Sequence, residues 1–115
     1  MRVLVCGGRD YEDATRVNNA LNKLHQTHGI TMVIQGAARG ADALARLWAK
    51  RHEVEVKSFT ADWRKHGRAA GPMRNQAMLS YGQPDAVIAF PGNRGTEDMV
   101  KKAEVAGLKV WRPYS

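Results

Sequence analysis

The sequence predicts an α/β domain in which a parallel sheet of about five strands is covered by helices on both faces. Short apolar runs of strand length recur along the chain, and those at residues 2–6, 30–35 and 85–90 end directly at glycine or proline. Segments with apolar residues three or four positions apart separate these runs, as expected of helices. A chain that alternates strand and helix and finishes on a strand is typical of a parallel sheet with helical crossovers.

Apolar spacing and chain breakers define the individual elements. Val17, Leu21 and Leu24, at positions i, i+4 and i+7, mark the first helix, and Trp48 belongs to the buried face of the second. The segment after His52 alternates apolar and polar residues, which is typical of a strand near a sheet edge. In chain order, we predict a strand at 2–6, a helix at 11–28, a strand at 30–35, a helix at 41–52, a strand at 53–59, a polar loop at 60–71, a helix at 72–81, a strand at 85–90, a helix at 96–106 and a strand at 108–111.

Composition restricts the class of protein. The 115 residues fit a single domain over 1–115, and the formal net charge of +7 predicts an anionic partner. Cys6 is the one cysteine, so no disulfide can form within the chain, and its place at the end of an apolar run indicates a small buried hydrophobe. No apolar run approaches the roughly 20 residues of a membrane span. We therefore expect a cytoplasmic protein with no membrane partner.

Four loops that follow predicted strands combine glycine with arginine. Such loops lie together outside the carboxyl ends of parallel strands, where ligands bind. Glycine lets backbone N–H groups approach a ligand, and the next helix points the positive end of its dipole at the same place. A guanidinium offers a fork of donors matched to phosphate. Taken together the loops predict a phosphate site, and they contain Gly7, Gly8, Arg9 and Asp10; Gly36, Arg39, Gly40 and Asp42; Trp63 and Arg68; and Pro91, Gly92, Asn93, Arg94, Gly95 and Thr96.

Several of these residues have two interpretations. For Asp10 and for Asp42, one interpretation is that the carboxylate caps a helix N-terminus. The other is that it accepts hydrogen bonds from a ribose hydroxyl. Trp63 packs against the protein, or stacks on a base and covers the pocket. The histidines show no metal-ligand spacing with cysteine or acid, so we predict no metal. The absence of a GxxxxGK[ST] loop excludes a P-loop ATPase, and the absence of GxGxxG after the first strand gives no support for a dinucleotide oxidoreductase, so no cofactor is predicted.

Five segments resemble the YspA/YpsA-related branch of the SLOG superfamily. They are GGRDY at 7–11, QGAARGADALA at 35–45, ADW at 61–63, GPMRNQAML at 71–79 and AFPGNRGTEDM at 89–99, which together span nearly the whole chain. The superfamily includes the LOG phosphoribohydrolases and the DNA-processing protein DprA. The resemblance implies a Rossmann-like fold that binds nucleotides or nucleotide derivatives at these loops. It also implies a homo-oligomer, because relatives are often dimers or larger.

LOG-type enzymes cleave the bond between the base and the ribose 5′-phosphate of nucleoside monophosphates. Their marks are a PGGxGTxxE loop and an RKxxM segment. The residues that the resemblance carries over from these two motifs are Pro91, Gly92, Gly95, Thr96, Arg74 and Met78. By this resemblance, the phosphate-holding part of the site is similar.

The catalytic part of the LOG motifs does not carry over. Met99 occupies the position of the catalytic glutamate, and a thioether cannot do acid–base or charge-stabilising work. Asn93 replaces the second glycine, and Asn75 replaces the lysine that follows the arginine. The resemblance therefore implies phosphate binding without LOG-type hydrolysis, and the catalytic residues stay unknown.

Three functional hypotheses follow. The favoured one is a module that binds or senses an ADP-ribose-like or phosphoribosyl compound, with phosphate on the amides of 92–96, Arg9 and Arg74, ribose on Asp10 or Asp42, and Trp63 over the base. The alternatives are a hydrolase of an N-glycosidic or phosphate bond, with Asp10, Asp42 or Glu97 as the carboxylate, and, less favoured, nucleic-acid binding. The candidate ligand-binding residues are Gly7, Gly8, Arg9, Asp10, Gly36, Arg39, Gly40, Asp42, Trp63, Arg68, Arg74, Asn75, Pro91, Gly92, Asn93, Arg94, Gly95 and Thr96.

Overall fold

The protein, as a computed structural model describing residues 1–114, contains five strands and five α-helices in that range. The strands are β1 (Arg2–Cys6), β2 (Met32–Gln35), β3 (Glu55–Ser58), β4 (Ala86–Ala89) and β5 (Lys109–Trp111). The helices are α1 (Ala14–His28), α2 (Ala41–Arg51), α3 (Trp63–His66), α4 (Ala70–Ser80) and α5 (Arg94–Val105), and a 3-10 turn at Gly67–Ala69 joins α3 to α4.

All five strands pair in parallel in the order β3-β2-β1-β4-β5. In the centre of the sheet, Leu4 lies opposite Ile34 on one side and Val87 on the other. The predicted fold class is therefore confirmed. The chain winds outward in one direction from β1 to β3 and in the other from β4 to β5, so β1 and β4 flank a switch point of the kind where Rossmann-like sheets open a crevice for ligands.

Two hydrophobic cores sandwich the sheet. On one face, α1 and α2 pack Leu21 and the fully buried Trp48 against Val3 and Val5 of β1. On the other face, α4 and α5 pack against the intervening residues of β1, chiefly Leu4. Alternate residues of one strand serve both cores, which is why β1 reads as a continuous apolar run rather than an alternating one.

The prediction of a polar loop over 60–71 was wrong. Asp62 accepts a hydrogen bond from the N–H of Lys65 at 3.1 Å and starts the short helix α3. The 3-10 turn then leads directly into α4, which begins at Ala70 and holds Pro72 in its first turn. The polar side chains of this segment therefore include a helix cap and belong partly to helix, and they do not indicate irregular chain.

Two other helix starts differ from the predicted ones. α1 begins at Ala14 rather than at residue 11 because Asp13 caps it, accepting from the N–H of Arg16 at 3.0 Å. Asp10 is therefore not the cap of this helix. α5 begins at Arg94, two residues earlier than predicted, so the glycine loop of β4 runs straight into helix.

Within residues 1–114, none of the helices is both long enough and apolar enough to cross a bilayer. In the same range, no cluster of three or more histidine, cysteine or acidic side chains is arranged to hold a metal ion.

Candidate functional site

A small cavity lies at the carboxyl ends of β1 and β4, at the switch point of the sheet. Its volume is about 60 Å³. That is far below the roughly 300–1,000 Å³ of pockets that enclose a whole small molecule. The residues that line it are Cys6, Gly7, Arg9, Ala38, Asp42, Arg74, Asn75, Met78, Asn93, Gly95 and Thr96.

The loops after β1, β2 and β4 cross at Gly8. Its N–H donates to the carbonyl of Pro91 at 2.9 Å, and its own carbonyl accepts from the N–H of Ala41 at 3.2 Å. Gly40 has a φ of +76°, and a Cβ there would overlap the carbonyl oxygen of Gly8. Gly92 is similarly confined, because a Cβ there would overlap the hydroxyl of Thr96. These glycines shape the cavity by letting backbones approach one another.

The β2–α2 loop uses its backbone donors internally. The buried Asp42 carboxylate accepts from the N–H of Gly36 at 3.1 Å and of Ala38 at 3.3 Å through the same oxygen, Oδ2. Between them, the N–H of Ala37 donates to Gln35 Oε1 at 2.7 Å. Three successive amides are thus satisfied by the protein, so Asp42 acts first as an anchor for this loop.

Gln35 and Arg46 are site-supporting residues that the sequence analysis missed. Gln35 is fully buried, and its Oε1 also accepts from Arg46 Nη1 at 2.8 Å. Its amide nitrogen donates to Ser58 Oγ, which ties β2 to β3. A polar residue that ends an apolar strand was the available signal, because buried polar groups are nearly always bonded to a structural partner.

Arg74 and Asn75 reach the cavity from α4. Arg74 donates from Nη1 to the carbonyl of Gly36 at 2.8 Å and from Nε to Asn75 Oδ1 at 3.0 Å. Asn75 donates from Nδ2 to the carbonyl of Gly95 at 3.1 Å and to Asp98 Oδ2 at 3.0 Å. This chain of hydrogen bonds sets the Arg74 guanidinium at a fixed distance from the start of α5.

The pKa values of two charged groups in the cavity, Arg74 and Asp42, are shifted by burial and by neighbouring charges. Burial lowers the pKa of Arg74, and the nearby positive charge of Arg9 lowers it further, while Asp42 acts in the opposite direction. Burial also raises the pKa of the Asp42 carboxyl, despite its hydrogen bonds and the cations nearby. An anion placed between Arg9 and Arg74 would relieve their repulsion.

The helices that begin at this cavity lack side-chain caps. Asp13 and Asp62 cap α1 and α3. The residues at the N-cap positions of α2 and α5, Gly40 and Asn93, make no side-chain hydrogen bond to the first N–H groups of those helices. The N-terminus of α5 contributes Gly95 and the buried Thr96 to the cavity wall. Uncapped amides and the positive end of the helix dipole favour an anion at this point.

Trp63 stands at the mouth of the site. Its side chain is 47% exposed, and the guanidinium carbon of Arg9 lies 5.2 Å from the centre of its ring. Trp63 is therefore a surface residue at the rim rather than part of a core.

Other predicted site residues lie outside the cavity. Asp10 and Arg39 form an ion pair of 3.1 Å in which both side chains are largely exposed. Arg68 and Arg94 are exposed and do not line the cavity. Gly8, Gly36, Gly40, Pro91 and Gly92 form the surrounding loops.

The carboxylates of α5 are engaged elsewhere. Glu97 pairs with Arg112 through two hydrogen bonds, one of 3.0 Å between Oε1 and Nη1, and that interaction lowers its pKa. Asp98 bonds Asn75 and Lys102. Met99, at the position of the LOG glutamate, is fully buried among the apolar residues of α4 and α5.

Cys6 forms part of the cavity floor but is not poised for reaction. It is buried, and burial raises the pKa of its thiol to about 12. The thiol is thus held in its neutral form, which is a poor nucleophile.

Comparisons with known proteins agree with this architecture. DprA from Streptococcus pneumoniae shares the fold over 99% of this chain with a TM-score of 0.80 and 18% sequence identity. The match covers 50% of that DprA chain, so this chain spans about half of its length. The Gene 61 protein of Mycobacterium phage D29 is 40% identical over 117 aligned residues, covering 95% of this chain and 93% of the phage protein. The model of the YspA, cpYpsA-related SLOG family (YAcAr) matches residues 1–66, more than half of the chain, and the chain therefore belongs to that family.

Proposed function

We propose that this protein binds a phosphorylated nucleotide derivative and holds its phosphate in the cavity at the switch point. One observation carries the proposal: the guanidinium-bearing residues Arg9 and Arg74 line the same cavity as the N-terminus of α5, which has no side-chain cap. Two like charges held close together are unfavourable, and an anion placed between them offsets their repulsion. Guanidinium forks and helix amides are also the donors that match phosphate.

The cavity volume supports a particular arrangement of the ligand. About 60 Å³ accommodates a phosphate group and not a nucleoside, whose pocket would need several hundred Å³. The nucleoside then lies outside the cavity, at the mouth beside Arg9 and Trp63. A terminal phosphate enters such a cavity more readily than one esterified on both sides, which favours a phosphoribosyl compound over ADP-ribose.

The two candidate ribose ligands differ in availability. One carboxylate oxygen of Asp42 accepts hydrogen bonds from the β2–α2 loop. Asp10 is exposed on the rim, and its ion-pair partner Arg39 is an exposed residue with a long side chain. Exposed ion pairs of this kind contribute little and exchange partners readily. We therefore assign the ribose contact to Asp10.

Thermal-shift assays test the proposal with AMP, adenosine, ADP-ribose and a short single-stranded oligonucleotide. A ligand present at 100 times its dissociation constant adds about 2.7 kcal/mol of stability, which raises the melting temperature visibly. We expect AMP to stabilise the protein, adenosine to have no effect, and Arg74→Gln to remove the AMP shift. Arg51→Gln, at the far end of α2, is the matched control and should keep it. Equal stabilisation by adenosine and AMP would contradict a phosphate site.

A second candidate function is hydrolysis of the bound nucleotide. Asp42 is the one carboxylate among the cavity-lining residues within 1–114, and its pKa is raised. Raised carboxyl pKa values are found in groups that protonate a leaving group. Incubation with AMP, followed by chromatography for adenine and ribose 5-phosphate, tests this. Product formation that Asp42→Asn abolishes would make the protein an enzyme, whereas binding without turnover leaves it a sensor.

Nucleic acid is the third candidate partner. Arg39, Arg68 and Arg94 are exposed on the segments that follow β2, β3 and β4, and a polyanion could contact several at once. Affinity for an oligonucleotide would then fall steeply with salt, roughly one power of salt concentration for each phosphate neutralised. A shallow salt dependence would favour the compact phosphate site.

We further propose that residues 1–115 act as one domain in the cytoplasm and that the chain forms a homo-oligomer. Light scattering coupled to size exclusion measures the mass of the assembly directly. A mass of 12.7 kDa would contradict the oligomer.

A further inference from the structure

The side chain of Arg9 is held in place by a single contact. Among residues 1–114 the Arg9 side chain forms no hydrogen bond and no ion pair. Its guanidinium carbon lies 5.2 Å from the centre of the Trp63 ring, and the positive charge of Arg74 repels it. An exposed arginine on a loop otherwise samples many rotamers, and ordering it costs up to about 2 kcal/mol. Among the described residues, the Trp63 ring is thus the favourable contact that can order this guanidinium.

Trp63 is itself fixed by the backbone of α4. A Cβ on Gly71 would lie 3.2 Å from the Cη2 atom of the indole, so the glycine lets the ring pack close to the start of that helix. Asp62 caps α3 and sets the helical turn from which Trp63 projects. Arg74 stands three residues after Gly71 on α4. The ring thus ties the loop that carries Arg9 to the helix that carries Arg74.

We infer that Trp63 is a positioning residue for Arg9, and that it raises affinity for the phosphate itself rather than serving as a platform for the base. This rests on the proposed phosphate site. A guanidinium can stack its face on an indole while its edge N–H groups remain free to donate to an anion. Trp63 then strengthens binding of a phosphate that has no base attached.

Isothermal titration with inorganic phosphate and with AMP separates the two roles. An exposed cation–π contact corresponds to about a two- to fivefold change in affinity. We expect Trp63→Leu to weaken both probes by that factor and Trp63→Phe, which keeps a ring, to weaken them less. A loss for AMP with unchanged affinity for inorganic phosphate would overturn the inference and make Trp63 a base platform.

A double-mutant cycle tests whether Trp63 acts through Arg9. In an Arg9→Met background, Trp63→Leu should cause little further loss, because the residue it positions is gone. Independent, additive losses would overturn the inference. Arg64→Met on the same short helix is the matched control, since it removes one exposed positive charge beside Trp63.

A ligand-free measurement keeps this inference separable from the proposed function. The Arg9 side-chain NMR signals should carry a ring-current shift that Trp63→Leu removes. Absence of that shift in the wild-type protein overturns the positioning role even if Arg74→Gln abolishes phosphate binding as expected. A wild-type protein that shows the shift but binds neither probe overturns the proposed function, and the role of Trp63 in phosphate affinity with it.

Discussion

At the scale of single residues, Asp42 has the clearest signature in acid–base behaviour. Burial raises the pKa of its carboxyl above the ordinary value of 3.8. The folded state therefore binds this proton more tightly than the unfolded chain. The contribution of the carboxyl to stability is full below its ordinary pKa and is lost as the pH rises through the raised one.

Asp42→Asn tests this directly, because the amide keeps an acceptor for the loop N–H groups and cannot ionise. We expect the free energy of unfolding of the wild type to fall relative to the variant as the pH rises above about 4, the ordinary pKa of the carboxyl. Urea denaturation at several pH values measures the difference. A constant difference across that range would show that Asp42 does not titrate as its burial requires.

Cys6 offers a second test at the scale of one residue. Its buried thiol, with a pKa raised to about 12, is protonated at neutral pH. We predict that a thiol reagent such as Ellman's reagent labels it only when the protein unfolds, at a rate that follows global unfolding. Rapid labelling of the native protein would mean that the cavity floor is open to solvent.

At the scale of elements, the crossing of loops at Gly8 determines the shape of the site. Gly40→Ala places a methyl group against the carbonyl of Gly8 in a backbone region that L-residues avoid, so it should destabilise the protein by more than about 2 kcal/mol. Gly95→Ala is the matched control, because a Cβ there meets nothing within 4 Å. Its stability should be unchanged or higher by up to about 1 kcal/mol. Equal effects in denaturant melts would contradict the crossing.

Elements were predictable where local pattern and tertiary packing agree. The strand β1 was predicted from its apolar run, and the helix α1 from the spacing of Val17, Leu21 and Leu24. Both predictions are confirmed. The segment 60–71 was missed because capping by Asp62 starts a helix too short to show a periodic apolar face. Gln35 was missed as a support for the site because its partners come from α2 and β3 and not from its neighbours in sequence.

At the scale of the whole molecule, the sheet order predicts a gradient of local stability. β1, β2 and β4 are buried between two helical layers, whereas β3 and β5 are edges with exposed residues. We expect amide hydrogen exchange to be slowest in β1 and β4 and fastest, among the strands, in β3 and β5. Uniform protection across all five strands would contradict the exposed edges.

The sheet also explains why the site was visible in the sequence only in part. Parallel strands bring the loops after β1 and β4 to one edge, so Arg9 and residues 93–96 could be placed together from element order alone. Sequence could not show that Asp42 is committed to its own loop, because that depends on the direction of one side chain. It also could not show that the cavity has a volume of only about 60 Å³.

Chemical-shift mapping of AMP on ¹⁵N-labelled protein tests the central claim most directly. We predict saturable shifts of the Gly95 and Thr96 amides and of residues 7–9. A larger groove lies between α4 and α5 and includes Lys101 and Val105 in its lining; we call it the α4–α5 groove and expect little change there. The same titration with adenosine should leave the chemical shifts of the Gly95 and Thr96 amides unchanged. Shifts concentrated in the α4–α5 groove, or scattered over surface cations without saturation, would contradict a phosphate site at the N-terminus of α5.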